Sequence, residues 1–343
     1  MIRDRVYHDM TNRGVTGWLI AALLTTFYVV LYFTETLTPW AQKLGLSSKW
    51  DLYGVLYTIA IVGGGLAVIR KYGHNRYQVV RTSVVMFVQV VFAFSIPQML
   101  KAMHQPELYL SYFWPLKFDY LNPEYLAQQP MWFIVYSIAA GLVLVPLAGA
   151  FFGKRWYCSW VCGCGGLANT FGEPWRHLSD KSTAAWKFEK VSVHSVLGIS
   201  LALTGILVYS WMTGSKAPIV VEFQSWYGLI AGSLLSGVVA MGLYPLGGTR
   251  VWCRFFCPMA ALLGITQKAS KRFHIRVKED MCISCGLCSK YCEMGIDVRA
   301  YAQMNESFTR ASCVGCGICS EVCPRGVLRL ESESGLVQIS VGR

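Results

Sequence analysis

The sequence predicts an α-helical membrane protein with about six transmembrane helices and a small C-terminal domain of the α+β class. Of the 343 residues, 54% are hydrophobic and only 15% are charged, whereas charged residues make up about a quarter of an ordinary soluble protein. The apolar residues form long uncharged runs separated by short basic segments, and the last quarter of the chain is much more polar. A membrane part followed by a soluble part accounts for this asymmetry.

Six uncharged apolar runs approach the ~20 residues that a helix needs to cross about 30 Å of hydrocarbon. These runs are residues 15–33, 52–69, 82–100, 131–152, 191–212 and 226–246. The third run contains Gln89, Pro97 and Gln98, although proline is tolerated in a membrane helix whose neighbours satisfy the freed backbone. We therefore expect six membrane helices, with five as the alternative.

The basic residues between the apolar runs predict the orientation, because cytoplasmic loops hold the excess of Lys and Arg. One set of connecting segments carries 13 of these residues and the opposite set carries five. We expect a multi-pass protein of a bacterial or archaeal cytoplasmic (inner) membrane, in contact with lipid, with both termini in the cytoplasm and residues 108–129 outside. The net charge of +12 alternates along the chain with the apolar runs, so membrane topology explains it and nucleic-acid binding is not expected.

Two cysteine runs in the polar tail have the spacing of a bacterial ferredoxin with two 4Fe-4S clusters. The runs are Cys282, Cys285, Cys288 and Cys292, then Cys313, Cys316, Cys319 and Cys323 before Pro324. In this pattern three closely spaced thiolates bind one cluster and the fourth binds the other. Cluster one is therefore expected on Cys282, Cys285, Cys288 and Cys323, and cluster two on Cys313, Cys316, Cys319 and Cys292. Zinc is the alternative, but zinc sites normally take four ligands as two pairs.

This pattern completes the predicted domain organisation. Residues 1–265 are expected to form the transmembrane helical domain, and residues 266–343 a cytoplasmic α+β domain of the dicluster ferredoxin type. Glu293 stands after the first cysteine run, where the usual pattern has proline. Because proline there is not a ligand, we expect the glutamate to leave cluster binding intact.

A short internal repeat lies at the ends of the fourth and sixth apolar runs. Arg155-Trp-Tyr-Cys158-Ser-Trp-Val-Cys162 aligns with Arg250-Val-Trp-Cys253-Arg-Phe-Phe-Cys257. In each copy the cysteines are at i and i+4, so on a helix they would share one face, about 5–6 Å apart. We expect these four cysteines to converge near one membrane surface as an additional metal site, with Cys164 as a fifth thiol. The alternatives are a third iron–sulfur cluster, another metal, or buried thiols that only fill space between helices.

At these residues the chain resembles the membrane ferredoxin-like family that includes NapH, the C-terminal part of NosR and the copper reductase CcoG. In that family paired membrane Cys-x3-Cys-Pro motifs precede a cytoplasmic dicluster ferredoxin domain. The resemblance covers roughly residues 131–330. Cys253-x3-Cys257-Pro258 matches the motif in full, whereas Cys158-x3-Cys162 is followed by Gly163. The resemblance implies quinol oxidation, electron delivery to exported metalloenzymes, or copper reduction during oxidase assembly.

The leading prediction is an electron-transfer protein, a quinol dehydrogenase-like oxidoreductase subunit. It would relay electrons between the cytoplasmic 4Fe-4S clusters and a quinone or quinol, or a redox protein in the membrane or exported from the cell. One alternative is a copper reductase or maturation factor, because thiolates also suit Cu(I). The other is a non-catalytic membrane anchor that relays electrons within a larger redox complex.

Overall fold

The computed structural model describes residues 14–214, 218–270 and 272–332. Some of the residues behind the predicted orientation therefore lie outside the described residues. These are the basic residues Arg3, Arg5, Arg13 and Lys216 and both chain ends.

Six helices of the described chain are long and apolar enough to cross a membrane, which confirms the six-helix prediction. They are α1 (Val15–Phe33), α2 (Lys49–Tyr72), α3 (Arg76–Ala102), α4 (Met131–Phe152), α5 (Thr183–Thr213) and α6 (Val220–Gly242). In each helix only 17% to 33% of the most apolar window is buried inside the protein. The remaining apolar surface faces outward, as lipid-facing surface does in a membrane protein.

The third and fourth spans each contain a π-helical segment shortly before a proline. Gln89–Ser95 precedes Pro97 in α3, and Ala140–Leu144 precedes Pro146 in α4. Proline lacks an N–H, and its ring clashes with the carbonyl four residues earlier in a regular α-helix. The wider π turn relieves that clash locally. The third span therefore continues through Pro97, the residue that favoured a five-helix alternative.

Shorter helices connect the spans and surround their ends. They are Thr38–Lys43, Phe118–Leu121, Pro123–Leu126, Trp156–Trp160, Gly163–Asn169, Glu173–Leu178, Tyr244–Gly247, Trp252–Phe256 and Pro258–Ser270. The last of these packs against α4 and α5. It leads directly into the C-terminal domain.

The segment 108–129, which is predicted to lie outside the membrane, forms hydrogen bonds with the helix bundle. The indole Nε1 of Trp114 donates to Thr204 Oγ1 of α5 at 3.0 Å. The hydroxyl of Tyr157 donates to the Ser111 carbonyl at 2.7 Å. This segment thus contacts the residues that surround the membrane cysteines.

The C-terminal domain contains a two-stranded sheet and three short helices, as expected for an α+β ferredoxin-like domain. Strand β1 (Phe273–Val277) pairs antiparallel with β2 (Leu328–Ser332), with Phe273 opposite Ser332 and Val277 opposite Leu328. The helices are Leu287–Lys290, Val298–Gln303 and Ile318–Glu321. β1 buries alternate residues, because successive side chains of a strand point to opposite faces. Its buried face covers the two cysteine runs.

Candidate iron–sulfur sites and membrane cysteines

Two cavities in the C-terminal domain are each lined by four cysteines. One is lined by Cys282, Cys285, Cys288 and Cys323. The other is lined by Cys292, Cys313, Cys316 and Cys319. Each cavity therefore takes three cysteines from one run and the fourth from the other run. These two groups are the two ligand sets that the spacing predicts.

The surroundings of these cysteines fit a 4Fe-4S cluster in each cavity. Three cysteine sulfurs accept hydrogen bonds from backbone N–H groups, each at 3.4 Å. The N–H of Ile296 donates to Cys292, that of Gly315 to Cys313, and that of Val327 to Cys323. Such N–H···S bonds stabilise cluster thiolates and tune their potentials. The loops reach this arrangement through Gly286 and Gly317, whose φ angles of 75° and 78° are left-handed and favour glycine.

The cluster-two cavity faces the membrane part of the protein. At the start of α3, the Tyr77 hydroxyl donates to the Gly315 carbonyl at 2.6 Å, and Gln78 Nε2 donates to the Cys316 carbonyl at 2.6 Å. Lys154, which is buried, donates to the Tyr77 hydroxyl at 2.9 Å. The loop that carries three cluster-two cysteines is thus held directly against the membrane helices.

The cluster-one cavity has exposed residues at its rim. Cys285 is exposed, and the neighbouring Ile283 is 58% exposed. Arg299 and Arg325 line the same cavity and are exposed at its rim. The two cavities therefore differ in surroundings, one buried against the membrane part and one open to solvent.

The membrane cysteines of each repeat copy do not share one helix, so that expectation was wrong. Cys158 lies in helix Trp156–Trp160, but Cys162 is extended, with ψ 134°, before the next helix. Cys253 lies in the π-helical Trp252–Phe256, and Cys257 is extended, with ψ 115°. Cys257 precedes a proline, and a residue before proline avoids helical angles. In both copies the chain therefore turns at the second cysteine.

The two copies nevertheless have matching local structures. The N–H of Cys162 donates to the carbonyl five residues earlier at 2.8 Å, and the N–H of Cys257 does the same at 3.0 Å. Both second cysteines then lead directly into another helix. The internal repeat in the sequence is thus also a repeat of backbone conformation.

The two copies face each other through their equivalent arginines. Arg155 Nη1 donates to the Cys253 carbonyl at 3.1 Å, and Arg250 Nη1 donates to the Cys158 carbonyl at 3.3 Å. Each arginine thus binds the first cysteine of the other copy. This reciprocal pair brings the two motifs together across a local pseudo-two-fold axis.

All five membrane-region thiols lie in one neighbourhood. Cys158, Cys162, Cys253 and Cys257 are each between 2% and 4% exposed. Burial raises the pKa of Cys257, and the neighbouring Cys253 and Cys158 raise it further. A hydrogen bond from Cys164 lowers the pKa of Cys162 to about 7. Cys164 is partly buried and packs against the core cluster that contains the other four thiols.

Among the described residues, no three His, Cys, Asp or Glu side chains are arranged as ligands of a single metal ion. This holds for the ferredoxin cysteines as well, whose thiolates in such domains surround a cubane of four irons. The membrane cysteines are also enclosed by positive charge: the Nε groups of Arg155 and Arg250 are buried and have no hydrogen-bond partner in the described part of the chain. Buried donors of this kind favour an anionic occupant.

Glu293 is the functional residue that sequence reasoning undervalued. Its side chain is fully buried, and its two carboxylate oxygens lie 3.2 Å from Arg176 Nη2 and 3.1 Å from Arg250 Nη2. Burial alone would raise the pKa of Glu293, but Arg250, Arg176 and Arg81 lower it to about 2. The sign in the sequence that Glu293 has a particular role was that it stands where the usual pattern has proline. Its arginine partners lie 117 and 43 residues away, so no local pattern connects them.

A six-helix membrane part that carries a domain with two four-cysteine cavities defines an iron–sulfur electron-transfer protein. Comparison with known families agrees. A family described as "4Fe-4S dicluster domain" matches residues 275–330. A family described as "4Fe-4S binding domain" matches twice, at residues 134–180 and 229–276. The second family therefore covers both copies of the internal repeat.

Relatives among curated proteins include electron-transport and ferredoxin-type proteins and a regulatory protein. The chain is 25% identical over 160 residues to the putative electron transport protein YccM of Escherichia coli, covering 44% of each protein. It is 28% identical over 128 residues to the ferredoxin-type protein NapH of E. coli, covering 36% of this chain and 42% of NapH. It is 23% identical over 186 residues to the regulatory protein NosR of Pseudomonas aeruginosa, covering 52% of this chain and 24% of NosR.

The chain resembles the NapH- and NosR-like membrane ferredoxin-type proteins, and the matches to the two 4Fe-4S families support that resemblance. The alignments span about half or less of each of these three relatives. No solved structure matches the chain.

Proposed function

We propose that the chain relays single electrons between a soluble redox partner and a quinone, or a redox protein, that reacts at the membrane. The proposal divides the chain into a membrane part, 1–265, and a cytoplasmic ferredoxin domain, 266–343, with both termini in the cytoplasm. Helix Pro258–Ser270 connects the two parts. In a protein of this class the fold supplies position and potential, while the bound clusters supply one-electron transfer.

The cysteines of the two cavities would hold the two clusters. Cluster one would bind to Cys282, Cys285, Cys288 and Cys323, and cluster two to Cys292, Cys313, Cys316 and Cys319. The backbone donors to three of these sulfurs, and the burial of the cluster-two loop against α3, support this assignment. The residues around each cavity also exclude water to different degrees, which is one way a protein separates two cluster potentials.

The different surroundings of the two cavities carry the proposal. The rim of the cluster-one cavity is exposed and includes Arg299 and Arg325, so a soluble redox protein can approach it. The cluster-two loop instead contacts Tyr77 and Gln78 of the membrane part. This order gives a direct path from a cytoplasmic partner to the bilayer.

The membrane cysteines would form a third redox centre. Cys158, Cys162, Cys253 and Cys257 are the proposed ligands, with Cys164 beside them. The match of a 4Fe-4S binding family to both repeat copies supports an iron–sulfur cluster at this site. The unpartnered donors of Arg155 and Arg250 are compatible with such a centre, because a metal centre bound by several thiolates is anionic, whether the metal is iron or copper.

A quinone or an exported partner would react on the far side of this centre. Gly163, between Cys162 and Cys164, has its carbonyl hydrogen-bonded by the Tyr57 hydroxyl of α2 at 3.0 Å. Tyr157, next to Cys158, reaches the loop 108–129. The membrane cysteines thus lie between the ferredoxin domain and the opposite ends of the helices.

Oxidation of the reduced protein by decylubiquinone tests the proposal. The whole chain is purified anaerobically in detergent, reduced with dithionite and freed of excess reductant. Each quinone takes two electrons and two protons to form quinol, and the cluster absorbance reports the electrons lost. We expect fast oxidation of the wild type and at least tenfold slower oxidation of Cys253→Ser. Ferricyanide, which accepts electrons directly from exposed clusters, should oxidise both proteins equally.

Equal quinone rates in the two proteins would contradict a path through the membrane cysteines. Reduction of added Cu(II) without any reaction with quinone would favour the copper-reductase alternative. Loss of the ferricyanide reaction in Cys253→Ser would show damage to the ferredoxin domain. That outcome would contradict the separation of the two parts.

A further inference from the structure

One buried side chain connects a cluster-two cysteine to a membrane cysteine. Glu293 follows Cys292 directly in the chain, and its Oε1 lies 3.1 Å from Arg250 Nη2. The Nη1 of the same guanidinium lies 3.8 Å from the sulfur of Cys253 and 3.3 Å from the carbonyl of Cys158. One carboxylate and one guanidinium thus span the distance between the two proposed metal sites.

The contact between Glu293 and Arg250 is held by further hydrogen bonds and is excluded from water. Both side chains are at most 1% exposed. Arg250 is fixed further by Asn169 Oδ1 at 2.9 Å, and the Glu293 carbonyl accepts from Ser179 Oγ at 2.6 Å. A charge pair excluded from water interacts much more strongly than a pair at the surface. Changes of charge at either end should therefore be felt at the other end.

Positively charged side chains surround the negative carboxylate of Glu293, so the effect of removing its charge can be predicted. The guanidinium nitrogens of Arg176 and Arg250 lie 3.2 Å and 3.1 Å from its carboxylate oxygens, and both arginines are buried. Glu293 is the acid that contacts both Arg176 and Arg250. Glu173, another buried acid nearby, contacts Lys71 and Tyr72, each at 2.8 Å, and lies 3.9 Å from Arg176 Nε. Of these two acids, only Glu293 contacts Arg250, the arginine whose Nη1 lies 3.8 Å from the Cys253 sulfur.

We infer that Glu293 is a positioning residue that couples the cluster-two site to the membrane cysteine site through Arg250. It would set the reduction potential of cluster two and hold the ferredoxin domain in one orientation relative to the membrane part. The inference rests on the proposed cluster-two ligands. A proline at this position would supply neither the charge nor the contact with Arg250.

The test is the midpoint potential of cluster two, measured by EPR during redox titration of the whole detergent-solubilised protein. The cluster-two signal is assigned by its loss in Cys292→Ser. In Glu293→Gln the lost negative charge favours the reduced cluster, so the potential should rise. We expect about a tenfold change in the reduction equilibrium, which is ~59 mV for one electron. Glu173→Gln, the matched control, should change the potential by much less.

Arg250→Lys separates coupling from net charge. Lysine keeps the charge, but its single ammonium cannot contact Cys253, Cys158 and Glu293 together. Glu293 is then less well neutralised, so the cluster-two potential should fall. In the Glu293→Gln background the same arginine change should have almost no effect, because the group that transmits it is gone.

Three results would overturn the inference. The first is an equal shift in Glu293→Gln and Glu173→Gln, and the second is a shift in neither. The third is an Arg250→Lys effect that is unchanged in the Glu293→Gln background. Absence of a cluster-two signal from the wild type would instead contradict the proposed function, and the inference with it. If Glu293→Gln does not fold, Glu293→Asp keeps the charge with a shorter reach and should lower the potential as Arg250→Lys does.

Discussion

Two arginines of the internal repeat show how single residues organise the membrane cysteines. Arg155 and Arg250 stand three residues before the first cysteine of each copy, and each donates to the carbonyl of the other copy's first cysteine. Both guanidinium groups are nearly fully buried. A hydrogen bond from a charged group such as a buried arginine contributes about 1.5–3 kcal/mol. The pair therefore favours one arrangement of the two motifs strongly over others.

The crossed ligand sets predict opposite effects of two cysteine substitutions. Cys292→Ser should remove cluster two and spare cluster one, although Cys292 belongs to the first run in the sequence. Cys323→Ser should do the reverse. Each variant should lose about four irons per chain, and EPR should show which signal remains. Loss of the signal assigned to the variant's own sequence run would contradict the crossed assignment.

At the residue scale, the sequence predicted what depends on local spacing. The eight ferredoxin cysteines were identified because the ligand spacing within each run is characteristic of the site. Glu293 was noticed only as a departure from a pattern, and its role depends on arginines on two distant segments. The sequence also predicted that Cys162 and Cys257 lie on helices, because a spacing of four residues is typical of a helix. The chain instead turns at both residues.

Among the elements, the short helix Gly163–Asn169 depends most on small residues. A Cβ at Gly165 would lie 1.8 Å from the Cys158 carbonyl oxygen. The two short helices of the first repeat copy therefore approach each other as closely as backbones allow. This approach fixes the position of Cys162 and Cys164 relative to Cys158.

Gly165→Ala should consequently disrupt the membrane cysteine site. Overpacking of this kind costs about 1–3 kcal/mol or more, and the melting temperature of the solubilised protein should fall. Gly198→Ala in α5 is the matched control, because a Cβ there meets nothing within 4 Å. Iron bound outside the ferredoxin domain should be lost from the first variant and retained by the second. Equal melting temperatures and equal iron contents would refute the close-packing explanation.

The sequence predicted the six spans well but not their internal irregularity. Apolar length alone identified all six spans. The predicted boundaries lie within six residues of the observed ones at every end except the start of α5. The π segments before Pro97 and Pro146 depend on how each helix accommodates a missing N–H, which composition does not show. Likewise, composition does not show that the tyrosine- and tryptophan-rich segment 108–129 forms hydrogen bonds with α5 and with Tyr157.

Across the whole molecule, the proposed relay would use the three cysteine groups in one order. The exposed cluster-one cavity comes first, the cluster-two cavity against α3 second, and the buried membrane cysteines third. Spacing in the sequence predicted each group separately. The order could not be predicted, because it depends on contacts such as Tyr77 with Gly315, 238 residues apart.

The measurement that tests this order most directly is iron and acid-labile sulfide per chain, with EPR before and after dithionite, on anaerobically purified wild type and Cys253→Ser. Three 4Fe-4S centres would give about twelve irons in the wild type, and the variant should fall to about eight while keeping both ferredoxin signals. About eight irons in both proteins, with identical spectra, would contradict a cluster at the membrane cysteines and end the proposed relay at cluster two.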